Sequence, residues 1–199
     1  MALTDIPKSW NGLAVTEKEK LSLLALHSKR TKTSRHGMSP WLQAASSTEL
    51  LRFLRNKGGS VDDAWNAILA HAKWRTSRYG ADTIVRENTF EHSALHREVF
   101  WLGLSKGDCP TLVIRTKAHD GADYNEDPKV FTSFIVSLLE QGRKQYGVGV
   151  SRPVCMILDR GPYERNGEPK VDKMDMSVIP NLVKLFHHLY GTMMVREEE

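Results

Sequence analysis

Cysteine is scarce in this chain: only Cys109 and Cys155 occur among 199 residues. Two cysteines build no disulfide framework, so the reading expects a reduced, cytoplasmic setting. Long apolar runs are missing too. No stretch approaches the roughly 18 residues needed to cross a bilayer, and the opening MALTDIPKSW lacks the basic-then-greasy order of a secretory signal. Strong charge of one sign is also missing. Lys and Arg number 28 against 24 Asp and Glu, a net charge of +4, which permits attraction to anionic partners without requiring it. Finally, there is no G-x-G-x-x-G, no Walker loop and no G-x-S-x-G, so nucleotide-cradling loops and the hydrolase elbow are not indicated.

What remains is the composition of a folded domain: 40% hydrophobic and 26% charged residues. Met1 to Leu13 reads as a loose tail. Thr16-Glu17-Lys18-Glu19 is a capping-box pattern that opens a helix to about Lys29. The basic stretch HSKRTKTSRHG follows, with Lys29, Arg30, Lys32 and Arg35 and no acid. It can meet phospholipid headgroups or nucleic acid, and the plainer reading is a solvated helix end and loop. Gly37 and Pro40 mark a break. In ELLRFLRNKGGSVDDAWNAILAHAKWR, two helices meet at Gly58-Gly59, with Ser60 capping the second. Val61, Ala64, Trp65, Ile68, Leu69 and Ala72 form the apolar stripe of that second helix.

Beyond Gly80 the period changes. VFWLGL and TLVIR are β-rich, and SKGDCP between them predicts a hairpin turn. Asp127-Pro128 starts a helix whose inner face is Phe131, Phe134, Ile135, Leu138 and Leu139, closed by Gly147 and Gly149. PVCMILD predicts a buried strand, and Ser177 caps a last helix containing Phe186. Strand, helix, strand implies a βαβ unit with a parallel pair. The expected fold class is therefore α/β, an N-terminal helical part followed by a lobe with a mixed or parallel sheet.

Catalytic readings fare poorly. Cys109 to Arg115 has phosphatase-loop spacing, but the five residues between them prefer an extended strand, which cannot curl its amides around phosphate. His92 and His96 are spaced to share a helix face but have no third ligand in view, so no metal or cofactor is expected. His187 and His188 point in different directions on a helix. Asp159, ending the PVCMILD strand, has no evident partner and reads as a turn or ion-pair residue. The chain is read as non-enzymatic.

The helical stretch carries a resemblance. LLRFLRNKGGSVDDAWNAILAHAKWR resembles the N-terminal helical signature of the CRAL-TRIO lipid-binding family, in its phosphatidylinositol-transfer form, at Leu51, Arg52, Phe53, Leu54, Arg55, Val61, Ala64, Trp74 and Arg75. SKGDCPTLVIR resembles the family's hairpin, PVCMILDRGP its central strand, and MDMSVIPNLVKLFHHLYGTMM a following helix. The resemblance runs from about Ser47 to the C-terminus and implies three segments: a tail and helix over 1–46, a helical subdomain over 47–90, and a lipid-binding lobe over 91–199. It stops short of the family's next strand and gate helix, so it implies a partial lobe with an unpaired sheet edge open to a protein partner or to self-association.

The resemblance also implies binding, with transfer or presentation between membranes, of a phospholipid such as phosphatidylinositol. The protein would then be cytoplasmic and peripherally membrane-associated, with no nucleic-acid partner. The alternative it offers is a non-catalytic targeting module linked to small-GTPase regulation or trafficking. Lys57 takes the place of a headgroup-contacting basic residue. Leu112, Ile114, Phe131, Phe134, Met156, Leu158 and Phe186 are expected to line an apolar pocket, the competing expectation being that they fill a solid core. Val154 and Met156 stand where the family holds choline phosphate with hydroxyls, and Thr192 replaces a family glutamate, which argues against choline recognition.

Overall fold

The computed structural model describes residues 6–10, 13–33, 39–78, 80–87, 90, 98–115, 128–150, 152–159, 164–165 and 168–169. The expected last helix, with Phe186 and Thr192, and the histidines at 92, 96, 187 and 188 lie outside the described residues.

The first half is helical. α1 (Glu17–Lys32) begins in the predicted capping box, with Thr16 and Glu19 bonding reciprocally. It extends three residues past the predicted end. A short α2 (Pro40–Ala44) follows, capped by Ser39 with Pro40 in its first turn. The sequence reading took Gly37 and Pro40 as a break only, yet proline's fixed φ suits a first helical turn. α3 (Ser47–Asn56) opens in a second capping box, Ser46 with Glu49. It ends where predicted: the N–H of Gly59 bonds the Leu54 carbonyl at 2.9 Å, and Gly58 and Gly59 take φ of 60° and 85°, left-handed values that glycine adopts freely. α4 (Val61–Arg75) is capped by Ser60.

The buried stripe of α4 keeps Ala64, Trp65, Ile68 and Ala72 of the expected one and widens past it. Ala64, Ile68, His71, Ala72 and Arg75 are inside, while Leu69 is 38% exposed. The apolar count included Leu69 and passed over a histidine and an arginine, because periodicity scores only greasy residues.

The expected loose tail is also corrected. β1 (Ser9–Trp10) and β2 (Leu13–Ala14) pair antiparallel, and Trp10 is buried in one core with Leu23, Leu26, Trp41, Leu50, Phe53 and Ile68. Residues on both sides of the expected boundary at 46 thus share a single helical core.

The second half is α/β. α5 (Ala81–Glu87) places Ala81 and Ile84 in a second core, although it falls within the expected helical subdomain. β3 (Val99–Leu104) and β4 (Pro110–Arg115) form the predicted hairpin, with a register shift between Trp101 and Gly103. α6 (Pro128–Tyr146) buries Phe131, Phe134, Ile135, Leu138 and Leu139 as expected. β5 (Cys155–Asp159) then pairs parallel with β4. The sheet order is β3-β4-β5, antiparallel on one side and parallel on the other, so the fold class is α/β with a mixed sheet. β6 (Glu164–Arg165) and β7 (Glu168–Pro169) make a separate small pair.

β5 departs from the fully buried strand expected. Ile157 and Leu158 are 43% and 42% exposed, and among the described residues β5 has a hydrogen-bonded neighbour on one side only. An apolar run reports what a strand can cover, not what covers it. Among the described residues, no helix is long and apolar enough to cross a membrane.

Candidate functional site

β4 and β5 position the apolar residues expected to meet a lipid. Parallel pairing sets Leu112 against Met156 and Ile114 against Leu158. Since alternate residues share a face, these four line one side of the sheet, the side on which α6 packs. Leu112, Ile114, Phe131 and Phe134 are each at most 4% exposed and belong to one packed cluster with Val99 and Ile135. Met156 packs at the margin of that cluster, while Leu158 lies open. The face is closed by side chains toward β3, where Trp101 donates its Nε1–H to the Leu138 carbonyl at 3.0 Å. It opens toward β5.

Lys57 sits elsewhere. It ends α3, with its N–H bonded to the Phe53 and Leu54 carbonyls, and its side chain is half-buried. Neighbouring Arg55 donates to the Trp10 and Ala14 carbonyls and to Glu19, so this end of α3 faces the N-terminal strands. The opposite end carries Glu49, which meets α6. Eight residues separate Glu49 from Lys57, about 12 Å along the axis at ~1.5 Å per residue. The described residues therefore bring the six apolar candidates, but not Lys57, onto one sheet-and-helix unit.

The sequence reading missed a buried charge network where the helical core meets the α/β core. Glu49 is 2% exposed in its side chain and receives Arg143 Nη2 at 2.6 Å. It also accepts Trp41 Nε1 at 3.0 Å and the Ser46 N–H at 2.8 Å. Arg75 donates to both oxygens of Glu140 at 2.9 Å and to Asp82 Oδ1. Its guanidinium also lies 5.9 Å from the Trp41 ring centre. His71 packs edge-on to Trp41 at 4.4 Å and lies 5.4 Å from Trp74, and Trp74 packs against the α/β core. Three acids and two arginines thus form a chain across the seam. Arg75 closes the WR dipeptide already singled out in the sequence. The i, i+3 spacing of Glu140 and Arg143 was a second signal, though neither reveals a partner 65 or 94 residues away.

Chemically, the seam is structural. The Glu49 and Glu140 carboxylates are occupied as acceptors and do not present a free base. Arg55 pairs with Glu19 of α1 at 2.7 Å. That bond, ahead of the opposing effect of burial, holds the Glu19 carboxyl below the usual carboxylate range. Asp159 is the register partner of Arg115, whose guanidinium lies 5.0 Å from the Phe100 ring centre. Cys109 precedes an extended strand, not a phosphate-cradling loop. Among the described residues, no group of three His, Cys, Asp or Glu side chains could hold a metal. No family model and no curated protein matches this chain.

Proposed function

We propose that the chain binds a hydrophobic ligand, best a phospholipid such as phosphatidylinositol, and presents it at or exchanges it between membrane surfaces. The observation that carries this reading is the apolar side of the mixed sheet. It is roofed by α6 over Leu112 and Ile114 but left open at Leu158, 42% exposed on β5. An acyl chain laid along that open margin extends an existing apolar surface. Its burial is favourable by about 25 cal/mol per Å² of apolar area removed from water. The resemblance of LLRFLRNKGG and SKGDCPTLVIR to the CRAL-TRIO pattern supports the same class of ligand.

A second reading, a non-catalytic interaction module, is favoured by the one-sided hydrogen bonding of β5 among the described residues, since an available strand edge can take a partner's strand. Native mass spectrometry with lipid extraction decides between them, together with exchange of labelled phosphatidylinositol between vesicles. Co-purifying lipid and measurable exchange are expected. Protein that carries no lipid and exchanges none overturns the carrier reading. Because Lys57 lies off the sheet-and-helix unit, Lys57→Ala should leave exchange unaltered, and lowered exchange would place it at the headgroup.

A further inference from the structure

α1 is greasy on two sides. Leu23 and Leu26 are fully buried against α3 and α4. Leu21 and Leu24 face away from that core and are 69% and 39% exposed. Isolated surface leucines need no explanation, but these two belong to an organised face. At ~100° per residue, Leu21, Leu24 and Ser28 fall within an arc of about 60° on the outer side of the helix. Lys20 flanks that arc on one edge, and Lys18, Lys29 and Lys32 flank it on the other.

The only acid on this outer arc is Glu17, paired with Lys20 at 2.6 Å. Lys29 meets Asp62 of α4 at 2.9 Å. Both acids are 84% exposed, so neither pair is held tightly against competition from other anions. Lys18 and Lys32 are exposed and make no ion pair among the described residues. The result is a convex strip about 21 Å long from Lys18 to Lys32, with Leu21 and Leu24 on its crest, Lys20 on one flank and Lys18, Lys29 and Lys32 on the other.

We propose that this outer face of α1 is the docking surface for an anionic lipid bilayer. The leucines would enter the headgroup–acyl boundary while the lysines, their stems lying along the apolar crest, reach lipid phosphates and carboxylates on either side. A planar anionic surface meets both flanks at once. The inner leucines already satisfy the fold, which leaves Leu21 and Leu24 without a part in the core. The assignment deepens the lipid-handling reading and rests on it for its purpose, since a carrier has to settle on the bilayer it loads from.

Vesicle co-sedimentation of the full chain tests it, comparing phosphatidylcholine alone with phosphatidylcholine containing about one third phosphatidylserine. The expected result is binding to the anionic vesicles, lost on raising salt. The double variants L21E/L24E and K18E/K32E each weaken it about tenfold or more. Because all four side chains are exposed, the circular dichroism melts should match the unaltered chain. Val85→Glu, at a side chain 54% exposed on α5, should bind as the unaltered chain does. Protein that stays in the supernatant with both vesicles, as a face built for an acidic protein partner would dictate, overturns the proposal. So does undiminished binding by L21E/L24E and K18E/K32E. Lipid extraction from the same samples separates the two readings. Bound lipid without vesicle docking removes only the docking face, and docking without bound lipid removes only the carrier.

Discussion

Single side chains and single missing side chains hold the seam together. Gly80 has no room for a methyl group: a Cβ there would lie 2.0 Å from the Trp74 carbonyl oxygen and 2.4 Å from that of Arg75. Both obstacles are backbone and cannot rotate away, and the Gly80 carbonyl already accepts the Thr83 and Ile84 N–H groups that begin α5. Gly80→Ala is expected to cost about 3 kcal/mol through forced displacement of α4 from α5, read as a shift in the urea midpoint. Gly142 is tight for a different reason, since a Cβ there would lie 2.1 Å from the Trp101 ring. Neither requirement could be read from the chain. Gly80 marks a tight local turn back onto the end of α4, whereas Gly142 marks a close approach to Trp101, 41 residues away, that only the fold brings about.

At the level of elements, the helical half is tied by paired ends. α1 and α3 are linked through Arg55 and Glu19 at one end, and through a 3.0 Å hydrogen bond between His27 Nε2 and Ser47 Oγ at the other. Because the Glu19 pKa is lowered in the folded state, its contribution is fully present above the ordinary carboxylate value. That contribution fades as pH falls through the lowered one. Glu19→Gln is therefore expected to flatten the acid side of the stability–pH curve. It should leave the slope near neutrality unchanged, as checked by thermal melts across that range. The caps at Thr16 and Ser60 were read from the sequence, while the same spacing at Ser46 and Glu49 was found only in the fold. Thr16, Ser46 and Ser60 bond N–H groups three residues on, and such bonds depend only on local spacing. The placement of β5 at an open margin was not legible, because its apolar run would look the same in a covered strand.

For the whole molecule, two hydrophobic cores meet across a polar seam. The first gathers Trp10 through Ala72 and the second Ala81 through Val154. Between them run Glu49–Arg143 and Arg75–Glu140. Buried ion pairs of this kind add little over well-packed apolar replacements, but removing one partner strands the other charge. Arg75→Met is expected to destabilise the protein by about 3 kcal/mol, because buried Glu140 loses its two-pronged partner and keeps Arg143 only at 3.7 Å. The double replacement Arg75→Met with Glu140→Leu should recover a large part of that loss. Equilibrium unfolding measures both. Limited proteolysis of the link around residues 76–80 should speed up in the single variant and slow again in the double.

The sequence by itself determined what local physics governs. It set the helix starts at Thr16 and Ser60, the glycine stop at 58–59, the β3–β4 hairpin, the inner face of α6 and the α/β class. Each of these rests on contacts within a few residues or on a repeating period. The tertiary structure alone decided the joining of Trp10, Leu23, Leu26 and Trp41 to the following helices in one core. It likewise decided the burial of His71 and Arg75, the Glu49–Arg143 link and the open margin at Leu158. Those features depend on which distant surfaces meet, and a one-dimensional pattern of apolar and charged residues does not encode the partner.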